Sequence, residues 1–314
     1  MAEKLISVII PCYNEEKNIL PMYQRLKKVF SGLKNYQYQI IYVNNGSIDN
    51  SEAIFKKLAA KDKQVVIISL SRNFYKSQGA YTAGMDFATG EAAVLLDGDI
   101  QDPPEVIPRF IKKWQQGFNI VYGQRIKRAE GVFKKFCYKL FYRLFKKAAY
   151  IDIPLDAGDF SLIDKQVLKI MNSMPERDRY IRGLRAWVGF KHAAVKYRRQ
   201  ARKHGETTNS FVDNLRWVSL AIFSFSYLPL EFISWLAFIV VGISLVAIVG
   251  YTVSYFIFPP LNPRGFLTAL IATLFLGGIQ LLSLSIIGQY LGRMFEEIKA
   301  RPKYIVREVL NNPC

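Results

Sequence analysis

Four short apolar runs mark the first hundred residues: "LISVIIP" (5–11), "YQIIYVN" (38–44), "VVIISL" (65–70) and "AAVLLD" (92–97). Each is rich in Val, Ile or Leu and ends on polar or turn-forming residues, the pattern of strands buried on both faces. The intervening segments, such as residues 16–33 and 51–61, have helical character. Strands alternating with helices predict an α/β domain with a mostly parallel, Rossmann-like sheet and helices on both faces. In such sheets ligands bind beyond the carboxyl ends of the strands. The polar groups expected to converge there are "PCYNE" (11–15), "NNGS" (44–47), "SRNF" (71–74) and "DGDIQD" (97–102).

The last of these raises a chemical question, because a buried strand runs directly into Asp97, Asp99 and Asp102. Burying uncompensated carboxylates is so unfavourable that they take up protons, find partners or bind a cation. Together with the amide oxygen of Gln101 they form a hard-oxygen set suited to Mg or Mn, which keep waters and bind substrate phosphates. Asp-x-Asp alone is common in loops. Its weight here comes from its place after a buried strand, beside three other strand-end motifs.

The back of the chain has a different pattern. Residues 232–258 and 266–291 contain no charged side chain, and each is longer than the roughly 20 residues that cross a bilayer as a helix. "PPLNPRG" (259–265) between them predicts a tight hairpin of two transmembrane helices. Arg264 stands alone in that turn, whereas Arg293, Lys299, Arg301, Lys303 and Arg307 follow the second helix. The positive-inside bias then places both termini and the front domain in the cytoplasm.

Charge adds an interface to this layout. The chain of 314 residues carries 43 Lys and Arg against 25 Asp and Glu, a formal charge of +18. Residues 125–147 hold nine of the basic residues and only Glu130 as an acid, interleaved with Phe, Tyr and Leu. This predicts a basic amphipathic helix over about residues 131–149 lying on an anionic leaflet. A second interfacial helix is expected over 209–230. Anionic membrane lipid is therefore the expected partner, and nucleic acid is not. Cys12, Cys137 and Cys314 have no metal-ligand spacing, and His192 and His204 belong to no triad. The expected partition is a front domain 1–208, the interfacial segment 209–230, membrane helices within 231–292 and a cytoplasmic tail 293–314. Self-association into a homo-oligomer through the membrane helices is compatible with it.

The motifs "VIIPCYNEE", "VNNGSIDNS", "SRNFYKSQGAYTAGMDFATGE", "LLDGDIQDPPE", "AGDFSLID", "YIRGLRAWVGF" and "GRMFEEIKARPKYIV" together resemble the polyprenyl-phosphate glycosyltransferases of glycosyltransferase family 2. Dolichol-phosphate mannose synthases and bactoprenol glucosyltransferases belong to this group. The resemblance covers nearly the whole chain. It implies a GT-A fold and inverting transfer of one glucose- or mannose-type sugar from a UDP- or GDP-linked nucleotide sugar to a polyprenyl phosphate, undecaprenyl or dolichyl phosphate. It further implies that Asp97, Asp99 and Gln101 bind the divalent cation. Pro11, Tyr13, Glu15, Val43 and Asn45 would line the nucleotide pocket, joined by Asp97, and Arg125, Arg128 and Arg202 would stand near the phosphates.

Asp159, in "DAGDFSLID", matches the family's proposed base, and Asp99 is the metal-binding carboxylate whose loss is expected to abolish transfer. An acceptor phosphate is itself mostly ionised at neutral pH, so Asp159 could instead orient acceptor or sugar, with Asp156 a competitor, or cap a helix beginning near Asp164. The sequence departs from the family at Asn45, where Asp is usual, and at Gly205–Thr208, where a Gly-x-Ser/Thr-Lys run is usual. Two other readings are a processive polysaccharide synthase, which requires more crossings and a Gln-x-x-Arg-Trp motif, and a non-catalytic basic membrane scaffold.

Overall fold

The computed structural model describes residues 3–74, 77–126, 157–177, 179–200, 226–257 and 265–312. The front half alternates as the pattern predicts: β1 (Lys4–Cys12), α1 (Glu16–Ser31), β2 (Tyr36–Asn44), α2 (Ser51–Lys61), β3 (Val65–Leu70), α3 (Ser77–Asp86) and β4 (Ala92–Leu95). After a short 3-10 turn come α4 (Ile107–Gln115), β5 (Ile120–Arg125), β6 (Ala157–Asp164), α5 (Lys165–Ser173), α6 (Ile181–Trp187) and β7 (His192–Tyr197). Two long helices follow, α7 (Leu228–Ile257) and α8 (Gly265–Ile298), and the last element is β8 (Val306–Leu310).

The strands form one sheet of eight in the order β7-β5-β6-β4-β1-β2-β3-β8. β1 to β4 are mutually parallel, and β7 is parallel to β5. β6 runs antiparallel to both neighbours, with Ala92 opposite Asp164 and Leu95 opposite Ser161. That reversal positions the site. Where its neighbours end, β6 begins, and the same register carried two residues further sets Asp159 across from Asp97.

Side chains alternate between the two faces of the sheet. One face, carrying Ile6, Val8 and Ile10, packs with Phe110 of α4 and residues of α1 and α2 into the main core. The other is covered by α3, α5 and α6. Gly84 is what lets α3 sit so close, since a Cβ there would lie 2.2 Å from Cγ2 of Ile9.

The described residues divide into two compact units. The first is the sheet with its helices and includes the chain from residue 301 onward. Residues 293–314, expected as a tail, have a different fate: α8 continues to Ile298, and Val306–Leu310 adds β8 antiparallel to β3. Asn311 fixes the end of β8 by donating to the carbonyls of Ala59, Asp62 and Val65, and Arg307 donates to Glu52 at 2.6 Å. A five-residue strand whose partner lies more than 200 positions earlier leaves no local signal. It takes the place of β3 as the edge strand of the sheet.

The second unit contains α7 and α8. Both are long and apolar enough to cross a membrane, over Leu228–Ala247 and Ile271–Ile298. Their large apolar side chains point outward; Trp235 is 68%, Val246 74% and Leu281 71% exposed. An apolar surface of that extent suits lipid rather than water. The interfacial helices expected over 131–149 and most of 209–230 lie outside the described residues.

Candidate active site

The exits of β1 and β2 are laced together. Asn14 accepts from the Ile48 N–H at 2.9 Å and its own N–H donates to Ser47 Oγ at 3.0 Å. The Glu16 N–H donates to Asp49 and the Asn50 N–H to Glu16, each at 3.1 Å. Gly46 makes the turn with a φ of +74°, and a Cβ there would sit 2.6 Å from the Arg72 backbone. Of the residues expected at the nucleotide, Tyr13 is 37% exposed, whereas Val43 is wholly buried under α3. Pro11 is buried at the end of β1, and Glu15 is half-buried and accepts from the Asn18 amide. Asn45 is buried and ties two strand ends together: its oxygen accepts from the Phe74 N–H at 3.0 Å and its NH2 donates to Asn73 at 3.2 Å.

The acidic strand end separates its three carboxylates. Gly98 lets the chain pass so close to β1 that a Cβ would lie 2.7 Å from the Pro11 carbonyl oxygen. Ile100 then takes a φ of +60°, a strained value for a β-branched residue and one that clusters at functional sites. Asp97 accepts from Tyr81 Oη of α3 at 2.7 Å. Asp99 accepts from the Gln101 N–H at 3.2 Å, and the Gln101 carbonyl from the Gln200 N–H at 2.8 Å. Asp102 is completely buried. It accepts from Tyr197 Oη at 2.6 Å and from Arg125 at 3.4 Å, and Arg199 lies 3.3 Å away. Asp102 is therefore an anchor joining β5 and β7 to this loop, while Asp99 also lies 3.5 Å from Arg199.

Asp159, on the Asp97 face, meets Arg182 of α6 through two bonds of 2.9 and 3.0 Å. Arg185, one helical turn on, is buried and donates to the Gly158 carbonyl at 3.2 Å. Gln78 of α3 secures the start of α6 by accepting from the Ile181 N–H at 2.9 Å. Burial works against ionisation of Asp159, but Arg182 and then Arg185 outweigh it and hold the carboxyl below its usual range. Burial is also what lowers Arg185, to about 10. The helix-capping alternative belongs instead to Asp164, whose side chain accepts from the Gln166 N–H at 2.9 Å.

Asp97 behaves oppositely. Burial first, then the charges of Asp159, Asp102 and Asp99, push it up to about 7. Such crowding is relieved by a cation. Among the described residues no three acidic, His or Cys side chains form a self-sufficient cage. Two carboxylates opening on a crevice are nevertheless a set that Mg completes with substrate phosphates and water. The donors present thus fit a divalent ion.

Arg128, Arg202, Asp156, His204 and Gly205–Thr208 lie outside the described residues. Arg125 is placed on Asp102 and Tyr197 Oη, the latter at 3.2 Å. His192 opens β7 opposite Ile120 and joins no catalytic constellation. Sequence reasoning missed Arg182, Arg185, Arg199, Tyr81 and Tyr197. "IRGLRAW" did contain a signal: two arginines three apart share one face of a helix.

A mostly parallel Rossmann-like sheet that gathers strand-end loops around an acidic crevice is the GT-A architecture of a glycosyltransferase. The sequence profile described as Glycosyl transferase family 2 matches residues 7–171. A prophage bactoprenol glucosyl transferase homolog of Escherichia coli is 36% identical over 305 residues, covering 97% of this chain and 99% of that protein. An uncharacterized glycosyltransferase of Bacillus subtilis, YkcC, is 41% identical over 304 residues, covering 96% and 93%. Among solved structures, mannosyl-3-phosphoglycerate synthase from Rubrobacter xylanophilus aligns with a TM-score of 0.49 at 13% identity, over 84% of this chain and 78% of that one. The chain belongs to glycosyltransferase family 2.

Proposed function

We propose that this glycosyltransferase is anchored in a bacterial inner membrane and transfers one hexose, glucose first among the candidates, from a nucleotide sugar to a polyprenyl phosphate with inversion. The observation that carries the reading is the pairing, in one chain, of a strand end where burial and crowded carboxylates raise Asp97 with two outward-apolar helices. Near full-length relatives bear the name bactoprenol glucosyl transferase, which supports a lipid phosphate as acceptor. The basic residues after α8 support a cytoplasmic active site by the positive-inside bias.

In the reaction, an acceptor phosphate oxygen forms a bond to the anomeric carbon as the bond from that carbon to the nucleoside diphosphate breaks, and the bond electrons leave with the diphosphate. When bound, Mg or Mn would supply charge stabilisation to the departing diphosphate. Asp97 and Asp99, with Gln101 adjacent, would hold it. Arg125, one-quarter exposed on its paired side chain, is near enough to the loop to add positive charge where negative charge develops. Asp159 has both oxygens engaged by Arg182 and stays ionised, which suits orienting sugar or acceptor better than collecting a proton. The acceptor does not require that proton removed, since a phosphomonoester's second pKa is about 6.

The test is to incubate the purified chain with radiolabelled UDP-glucose or GDP-mannose and undecaprenyl or dolichyl phosphate. A labelled lipid carrying one sugar is expected. A growing polymer would favour a processive synthase, and no labelled product with any pair would overturn the proposal.

A further inference from the structure

Two arginines contact the acidic crevice in different ways. Arg182 meets Asp159 fork to fork at 2.9 and 3.0 Å, from a helix whose start is fixed by Gln78. Arg199 comes from the segment beyond β7 and reaches Asp99 at 3.5 Å and Asp102 at 3.3 Å. Those separations exceed the roughly 2.7–2.9 Å of well-formed charge-assisted bonds. Its Nε is buried, close to a carboxylate, yet makes no geometrically sound hydrogen bond. The two arginine side chains are equally exposed, 33% each, so the difference lies in the contacts. Asp102 would keep Tyr197 and Arg125 if Arg199 left.

We propose that Arg199 is an exchangeable counter-ion. It rests on Asp99 and Asp102 while the crevice is unloaded, then yields Asp99 to the divalent cation and turns its guanidinium to the diphosphate that arrives with the ion. The inference rests on the metal and nucleotide reading above and assigns a role there to a further residue. A guanidinium 3.5 Å from Asp99 repels a dication brought alone. It attracts the polyanion that accompanies the dication, and guanidinium matches phosphate geometry through paired donors. Loading is therefore biased toward the complex of cation and nucleotide over the bare cation. Arg182 is unsuited to this part, because leaving would break two close bonds to a buried carboxylate, with the charge of Arg185 alone close behind.

The test measures Mn2+ binding to the full chain in detergent micelles by the electron paramagnetic resonance signal of free Mn2+, alone and with UDP or GDP. Wild type, Arg199→Gln and Arg199→Lys are compared. Arg199→Gln is expected to bind Mn2+ alone about tenfold more tightly, and the nucleotide in the presence of Mn2+ about tenfold more weakly, a shift of ~1.4 kcal/mol each way. Arg199→Lys, which keeps the charge, stays close to wild type with Mn2+ alone. A merely structural role would weaken both binding events together. Unchanged or weaker binding of Mn2+ alone by Arg199→Gln, in a protein whose wild type binds Mn2+ with nucleotide, overturns the inference and leaves the reading of the site standing. Wild type that binds no Mn2+ with either nucleotide overturns both.

Discussion

The two sides of the sheet edge hold the same chemical parts and use them differently. On one side Arg182 and Asp159 form a close bidentate pair walled in by α6. On the other, Arg199 spans Asp99 and Asp102 at 3.3 to 3.5 Å, from a segment outside any helix or strand. Both are arginine–aspartate contacts. What separates them is geometry and the presence of substitutes: Asp159 depends on Arg182, whereas Asp102 has Tyr197 and Arg125 in reserve. Close packing makes the first a fixture of the fold and leaves the second available for exchange.

The comparison breaks most visibly at Asp99. Asp99→Ala is expected to reduce transfer by about 10²–10³-fold, the scale for loss of one preorganised electrostatic contact in a transition state, without loss of folding. Near wild-type turnover in the mutant, with EDTA also harmless, would remove the metal assignment. Arg182→Met tests the other side. Removing one partner of a buried ion pair typically costs about 3–5 kcal/mol. With Arg182 one-third exposed, about 2–3 kcal/mol is expected, read as a fall in the denaturant midpoint.

The pH dependence sharpens the contrast. Asp97 is pushed up to about 7 in the folded protein, against about 3.9 unfolded. Between those values the native state binds more protons than the unfolded state, so the Asp97 contribution to stability falls as pH rises from about 4 to about 7. Asp159 has the opposite sign: its lowered pKa adds stability that is present above pH ~4 and lost as pH falls below it. In EDTA, Asp97→Asn should flatten the stability profile between pH 5 and 7, measured by chemical denaturation. An unaltered slope would remove the charge-crowding account. The smallest effect is expected for Arg199→Gln, whose stability should lie within about 1 kcal/mol of wild type, because Asp102 keeps Tyr197 and Arg125. A loss as large as that of Arg182→Met would make Arg199 a fixture too, and the contrast would disappear.

Some of this was legible in local pattern. The apolar runs ending at Pro11, Asn44, Leu70 and Asp97 became parallel strands, because burial on both faces requires an unbroken hydrophobic run. The two uncharged stretches became α7 and α8 to within a few residues, except that α8 extends to Ile298. Asn45 shows the limit of reading by position. Its place at the end of β2 was plain, but its bonds to Asn73 and Phe74 depend on how the exit of β3 folds over it.

The sequence alone determined which segments of the first hundred residues are strands, where a carboxylate cluster leaves the sheet, and which helices are apolar enough for lipid. These properties follow from the burial of contiguous residues. Only the tertiary structure decided which of the three carboxylates is already satisfied, for Asp102 finds Tyr197 from 95 positions away. It also decided that reversed β6 carries Asp159 to Asp97 and that β8 returns to pair with β3. Charge balance in a crevice is a sum over groups that strand order and register bring within a few ångströms, and spacing along the chain does not encode that distance.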